Sequence, residues 1–112
     1  MYRYIQIGSD AGFSRSLPRE QIENRLRSFP EIVADSLHGF KNSDSALWFR
    51  INVGVCDSCG NYPARLPRHD GTANMIELIC AETAHPVADN YFIGLAETIA
   101  GQLGWIIVPQ DA

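Results

Sequence analysis

Apolar side chains recur at every second position over residues 47–55, where Leu47, Phe49, Ile51, Val53 and Val55 alternate with Trp48, Arg50, Asn52 and Gly54. A pleated strand sends successive side chains to opposite faces, so this run has one apolar face able to seat helices and one mixed face. A strand is expected over 46–56. A second alternating run over 74–81 puts Ile76, Leu78 and Cys80 on one face and Met75, Glu77 and Ile79 on the other. The stretch between them, 57–72, carries the turn residues Gly60, Asn61, Pro63, Pro67 and Gly71 and reads as a long hairpin loop. Residues 2–7, rich in aromatic and β-branched types, read as a first strand closed by Gly8, Ser9 and Asp10.

The period changes to that of a helix in two places. After Ser16 as N-cap and Pro18 in the first turn, Ile22, Leu26 and Phe29 fall on one face until Pro30 ends the regular spacing. Past Pro86, with Asp89 in the first turn, Phe92, Leu95, Ala96, Ile99 and Leu103 form a buried stripe. Asn90, Gly94, Thr98 and Gly101 form a second stripe of small residues, expected to pack closely against the protein's own sheet or loops, with a dimer contact as the alternative. Gly104 is placed to end this helix in the left-handed conformation, before a short last strand over 105–108. Residues 31–45 show neither period and are expected to be irregular. The order strand, helix, strand, strand, helix, strand predicts an α+β fold, a ferredoxin-like βαββαβ sandwich with one antiparallel sheet and both helices on one face.

A chain of 112 residues holds one core, so a single domain over 1–112 is expected. No apolar run approaches the ~18 residues that cross a bilayer, and no basic segment followed by a long apolar one opens the chain. Membrane association is not expected, and the three cysteines, an odd number for a disulfide framework, fit a cytoplasmic setting. The net charge of −4 argues against a nucleic-acid ligand, which needs a basic face. Its distribution adds more: from residue 70 onward there are acids at Asp70, Glu77, Glu82, Asp89, Glu97 and Asp111, and no lysine or arginine. A solvated acidic surface is the simpler reading; the functional one is a surface that steers a cationic partner.

Cys56 and Cys59 stand at CxxC spacing, which supplies half of a tetrahedral zinc site or a redox dithiol. His69 and Asp70 share the loop, so Cys56, Cys59 and His69 are the candidate ligands. Cys80, six residues along the return strand and about 20 Å away at ~3.3 Å per residue, is out of reach. Two ordinary loop thiols are the simpler reading. His85 beside Pro86 reads as a helix-start residue and His38 as a surface residue. A Cys59–His69 nucleophilic pair would need a hydrogen bond that spacing does not specify. No phosphate loop, HExxH or GxSxG is present. The mixed strand face offers Trp48 and Arg50, with Tyr4, as residues of the kind that anchor partners; packing beneath the 57–72 loop is the alternative.

The ending Tyr91-Phe92-Ile93-Gly94-Leu95-Ala96-Glu97-Thr98-Ile99-Ala100-Gly101-Gln102-Leu103-Gly104-Trp105 resembles that of small bacterial immunity proteins of contact-dependent and type VI toxin systems, in which a final helix ends in a Leu-Gly-Trp turn into an edge strand. The resemblance covers about the last quarter of the chain and carries no catalytic motif. It implies a small, acidic, non-enzymatic cytoplasmic protein that binds and neutralises a cognate toxin domain. The resemblance itself names no functional residues; the partner surface expected from the outward strand face and the acidic C-terminal portion combines Trp48 and Arg50 with the acids Glu77, Glu82, Asp89 and Glu97. Two other readings remain open: a metal-binding protein using Cys56, Cys59 and His69, and a ferredoxin-like regulatory or ligand-binding module that oligomerises through its sheet.

Overall fold

The alternation that singles out 47–55 becomes strand β5 (Phe49–Gly54), in which Phe49, Ile51 and Val53 are buried and Arg50, Asn52 and Gly54 lie on the other face. A computed structural model describes residues 2–35, 39–43, 47–61, 71–82 and 86–109. The elements around β5 are β1 (Tyr2–Gly8), β2 (Leu17–Pro18), α1 (Arg19–Arg27), β3 (Ile32–Ala34), β4 (Gly39–Asn42), β6 (Thr72–Ala73), β7 (Met75–Ala81), α2 (Pro86–Leu103) and β8 (Ile106–Ile107). Six strands form one sheet in the order β3-β4-β5-β7-β1-β8, with every pair antiparallel, and β2 and β6 form a separate two-stranded ribbon.

The α+β class, with one antiparallel sheet and two helices, is as expected; the four-strand count is not. Residues 32–34 and 39–42, expected to be irregular, pair as a hairpin and extend the sheet beyond β5. These strands are short and each gives the core one large side chain, Ile32 and Phe40, too few positions for an alternating pattern to show.

The register explains the core. Ile51 faces Leu78, and Leu78 faces Ile5; Val53 faces Ile76, and Ile76 faces Ile7. This apolar face meets Ile22 and Leu26 of α1 and Phe92, Leu95, Ala96, Ile99 and Ala100 of α2. Burying each of the large side chains stabilises the fold by roughly 1.5–3 kcal/mol.

Both helix boundaries are set by local chemistry, one of them differently from expectation. Ser16 does not cap α1. The helix starts at Arg19 after Pro18, with no side-chain cap, because Leu17 and Pro18 pair with Ala73 and Thr72 and Arg19 donates its backbone N–H to Gly71 O at 2.8 Å. The buried Arg19 guanidinium then donates to Val53 O at 2.7 Å, tying the helix start to β5. At the end of α2, Gly104 takes φ +68, its N–H donates to Gly101 O, and Trp105 N–H donates to Ala100 O, the paired bonds of a Schellman stop.

The small-residue stripe corrects another expectation. No described atom comes within 4 Å of where a Cβ would sit on Gly94 or Gly101, so neither glycine is there for close internal packing. Gly94→Ala and Gly101→Ala are each expected to stabilise the protein by about 1 kcal/mol through helix propensity. Urea denaturation checks this, and a loss of stability at either position would reveal a contact on that face.

Candidate protein-docking surface

The outward face of the sheet is divided by a row of polar contacts. At the end carrying Gly8, Gly54 and Met75, the loops 9–16 and 55–61 close it. Asp10 shapes the first loop: Oδ1 accepts the backbone N–H groups of Gly12 and Ser14 at 3.0 and 3.1 Å, and the Ser14 hydroxyl donates to Oδ2. These bonds, the hydroxyl's foremost, hold the Asp10 carboxyl below its usual range. Within this turn Phe13 adopts φ 53, a left-handed conformation that few non-glycine residues take. Its ring lies so close to Gly8 that a Cβ there would meet Phe13 Cδ1 at 2.6 Å.

Asp57 organises the second loop in the same way, its Oδ1 accepting from Cys59 and Asn61 N–H at 2.8 and 3.0 Å. The CxxC is thus an Asx turn. Cys56 is buried in an apolar cluster with Phe13, Met75 and Val108, and Cys59 is exposed. Burial foremost, then the charges of Asp57 and Glu77, pushes the Cys56 thiol up to about 11, which keeps it protonated at neutral pH. His69, Asp70, His38 and His85 lie outside the described residues. Cys80 is fully buried opposite Phe49 at the far end of β7, and burial raises its thiol as well. Among the described residues no three metal-ligating side chains cluster.

The raised Cys56 thiol makes the stability of the protein depend on alkaline pH. Above the usual value of 9.0 the unfolded chain ionises while the folded chain holds its proton, so stability falls as pH rises from 9 to 11. Cys80 and Tyr91, raised by burial, act in the same direction. Cys56→Ala is expected to lose less stability than the parent over that interval, measured by urea denaturation at each pH; identical slopes would remove Cys56 as a cause.

A single side chain joins the two loops. Asn74, buried between β6 and β7, accepts Cys56 N–H at 2.8 Å through Oδ1 and donates through Nδ2 to Cys56 O and Phe13 O at 2.9 and 3.1 Å. Next to this corner, Gln6 Nε2 donates to Gly60 O at 2.9 Å and to Glu77 Oε2 at 3.4 Å, and the closed part of the face ends there.

Beyond Gln6 the sheet is bare among the described residues. Tyr2 pairs with Ala81 and Phe49 with Cys80, so Tyr2 and Trp48 flank Ala81, and their rings lie 5.3 Å apart. One row further in, the register Tyr4, Ile79, Arg50, Lys41, Val33 crosses five strands. Tyr2, Tyr4 and Trp48 are 58%, 51% and 48% exposed. Arg50 is held by Asp35, Nη1 to Oδ2 at 2.5 Å, which neutralises the charge in the middle of the patch. The described part of the loop, 57–61, lies over the opposite end and does not shelter Trp48.

Of the residues expected to form one partner surface, Trp48 and Arg50 lie together here. Glu77 is on the same face but buried and engaged by Gln6. Glu82 is exposed just past the end of β7. Asp89 and Glu97 lie on α2, across the sheet, and Asp89 is paired with Arg3. The aromatic patch and the acidic helix therefore point in opposite directions. Tyr2, Ile79 and Ala81 complete the patch through strand pairing; in sequence the signal for Tyr2 is the alternation of Tyr2 and Tyr4 with Arg3 and Ile5.

These features define an α+β protein with an open, aromatic, antiparallel sheet face. The chain matches no family model, no curated protein and no solved structure. No described helix is long and apolar enough to cross a membrane.

Proposed function

We propose that this chain is a non-enzymatic binding protein, an immunity protein that docks a cognate bacterial toxin domain on its bare sheet face and blocks it. The observation that carries the reading is the patch of Tyr2, Tyr4 and Trp48, half exposed around Ala81 and Ile79. An antiparallel sheet can face water on one side, but such faces ordinarily bear polar side chains. Large aromatic groups held by a rigid sheet anchor partners at low entropic cost.

The protein acts in the cytoplasm, which suits three free cysteines, and turns nothing over. In this reading β1, β5, β7, β8 and the two helices are a ferredoxin-like core, and the β3–β4 hairpin is an addition at its edge. The order β8-β1-β7-β5 within the sheet supports it. The acids of the C-terminal portion steer a cationic toxin toward the protein rather than line the aromatic patch.

Co-expression with the reading frame immediately upstream tests the proposal. The neighbour alone should kill, and this protein should restore growth and co-purify with it; a harmless neighbour, or killing that this protein leaves untouched, would refute the immunity role. The near-neutral charge of the patch also suits a second copy of the chain. Sedimentation across a range of concentrations separates the two occupants, a monomer supporting the toxin and a dimer the second copy.

A further inference from the structure

On the side of the sheet away from the aromatic patch, a groove of about 370 Å³ runs between the end of α1 and the outer face of α2. Phe29 and Glu31 form one wall, Asn90, Gly94 and Thr98 the other, and Tyr91 and Leu95 add apolar surface. The wall from Asn90 to Thr98 spans about 12 Å, roughly two helical turns. Its small side chains leave room for a backbone, since no described atom comes within 4 Å of a Cβ placed on Gly94. Gly94 weakens α2 relative to alanine, and no contact among the described residues accounts for it. The Tyr91 hydroxyl is buried with no hydrogen-bond partner among the described residues, and the negative Glu31 acts on it.

Charge narrows the occupant. Among the described residues Glu31 is the sole charged one lining the groove, and α2 carries Asp89 and Glu97 with no lysine or arginine. Asp89 is neutralised by Arg3, and no lysine or arginine lines the groove beside Glu31 among the described residues. A second copy packed helix on helix would bring Glu97 toward Glu97, because this residue lies between Gly94 and Gly101 on the same side of α2. A basic segment meets complementary charge instead.

We propose that the groove between Phe29–Glu31 and the Asn90–Gly94–Thr98 face of α2 docks a short basic amphipathic segment of a protein partner, its apolar side over Gly94 and Leu95 and a lysine or arginine at Glu31. This rests on the protein-binding reading above, and it adds a second surface on the other side of the sheet. Such a pair of surfaces lets one partner be held at two places, with the basic segment reading the charge that the aromatic patch lacks.

The probe is a synthetic amphipathic helix of lysine, leucine and alanine, compared with the same peptide carrying glutamate for lysine, titrated into the full chain and followed by amide NMR shifts. The lysine peptide should give saturable shifts at Phe29, Asn90, Gly94 and Thr98, and the glutamate peptide none. Gly94→Leu, which fills the groove, should weaken the lysine peptide about tenfold or more without lowering the melting temperature. Glu31→Gln should weaken it most at low salt, and Trp48→Ala should leave it unchanged. The proposal is overturned by an absence of saturable shifts, by shifts centred on Tyr2 and Trp48 or scattered over all acids, or by unaltered binding to Gly94→Leu. None of those results touches protection from the neighbouring gene product, so the two proposals fail separately.

Discussion

Replacing Asn74 with leucine is expected to destabilise the protein by about 3 kcal/mol or more. The substitution keeps the volume and removes both polar ends of the side chain. Three buried or partly buried backbone groups then lose their partner: Cys56 N–H, Cys56 C=O and Phe13 C=O. Each orphaned group costs roughly 1–3 kcal/mol, and leucine recovers none of it. The loops that close one end of the sheet should loosen together, because Asn74 is bonded to both. Cys56 should then react with a thiol reagent under conditions in which the parent modifies Cys59 alone. Urea denaturation and timed alkylation followed by peptide mapping check the two effects. A change below about 1 kcal/mol would mean that Phe13, Met75 and Val108 hold the corner without Asn74.

The second large effect is on binding. Tyr2→Ala with Trp48→Ala is expected to weaken the proposed toxin complex by about a hundredfold or more, as truncation at an aromatic hot spot does. Stability should change little, since both rings are about half exposed. Tyr2 lies against Trp48, so the double change should cost less than the sum of the two single changes. Calorimetric titration of the purified complex measures this; negligible losses would place the docking surface elsewhere, and additive losses would mean that the two rings contribute independently.

How much of this was legible follows the physics of each element. Where one face of a strand is buried, alternation is imposed by the core, so the faces of β5 and β7 could be read directly and their register confirms them. The helix stop at Gly104 was readable because a left-handed residue favours glycine so strongly. The β3–β4 hairpin was not, since strands of three and four residues bury only Ile32 and Phe40 as large side chains, too few to show a period. Ser16 looked like a cap because its residue type suits one. The competing pull came from Thr72 and Ala73, far along the chain, which recruit Leu17 and Pro18 into a ribbon. Asn74 carried no signal of its own, because a buried asparagine serving two loops is indistinguishable in sequence from a turn residue.

The candidate surfaces follow the same rule. Period alone places Trp48 and Arg50 on the outward face, and Tyr2 joins them through a strand pairing that only the fold supplies. The acids of the last third of the chain formed a single group in sequence. Folding divides them between the sheet and α2, pairs Asp89 with Arg3 and buries Glu77. A count of charges could not anticipate that division.

The most direct test of the central claim is a co-purification of the upstream gene product with tagged parent protein, Gly101→Ala, and the Tyr2→Ala, Trp48→Ala double variant, at equal levels of folded protein. The account predicts that the parent and Gly101→Ala retain the partner and protect cells from it, while the double variant, equally stable, loses both. Retention of the partner by the double variant would contradict the assignment of the bare sheet face as the docking surface.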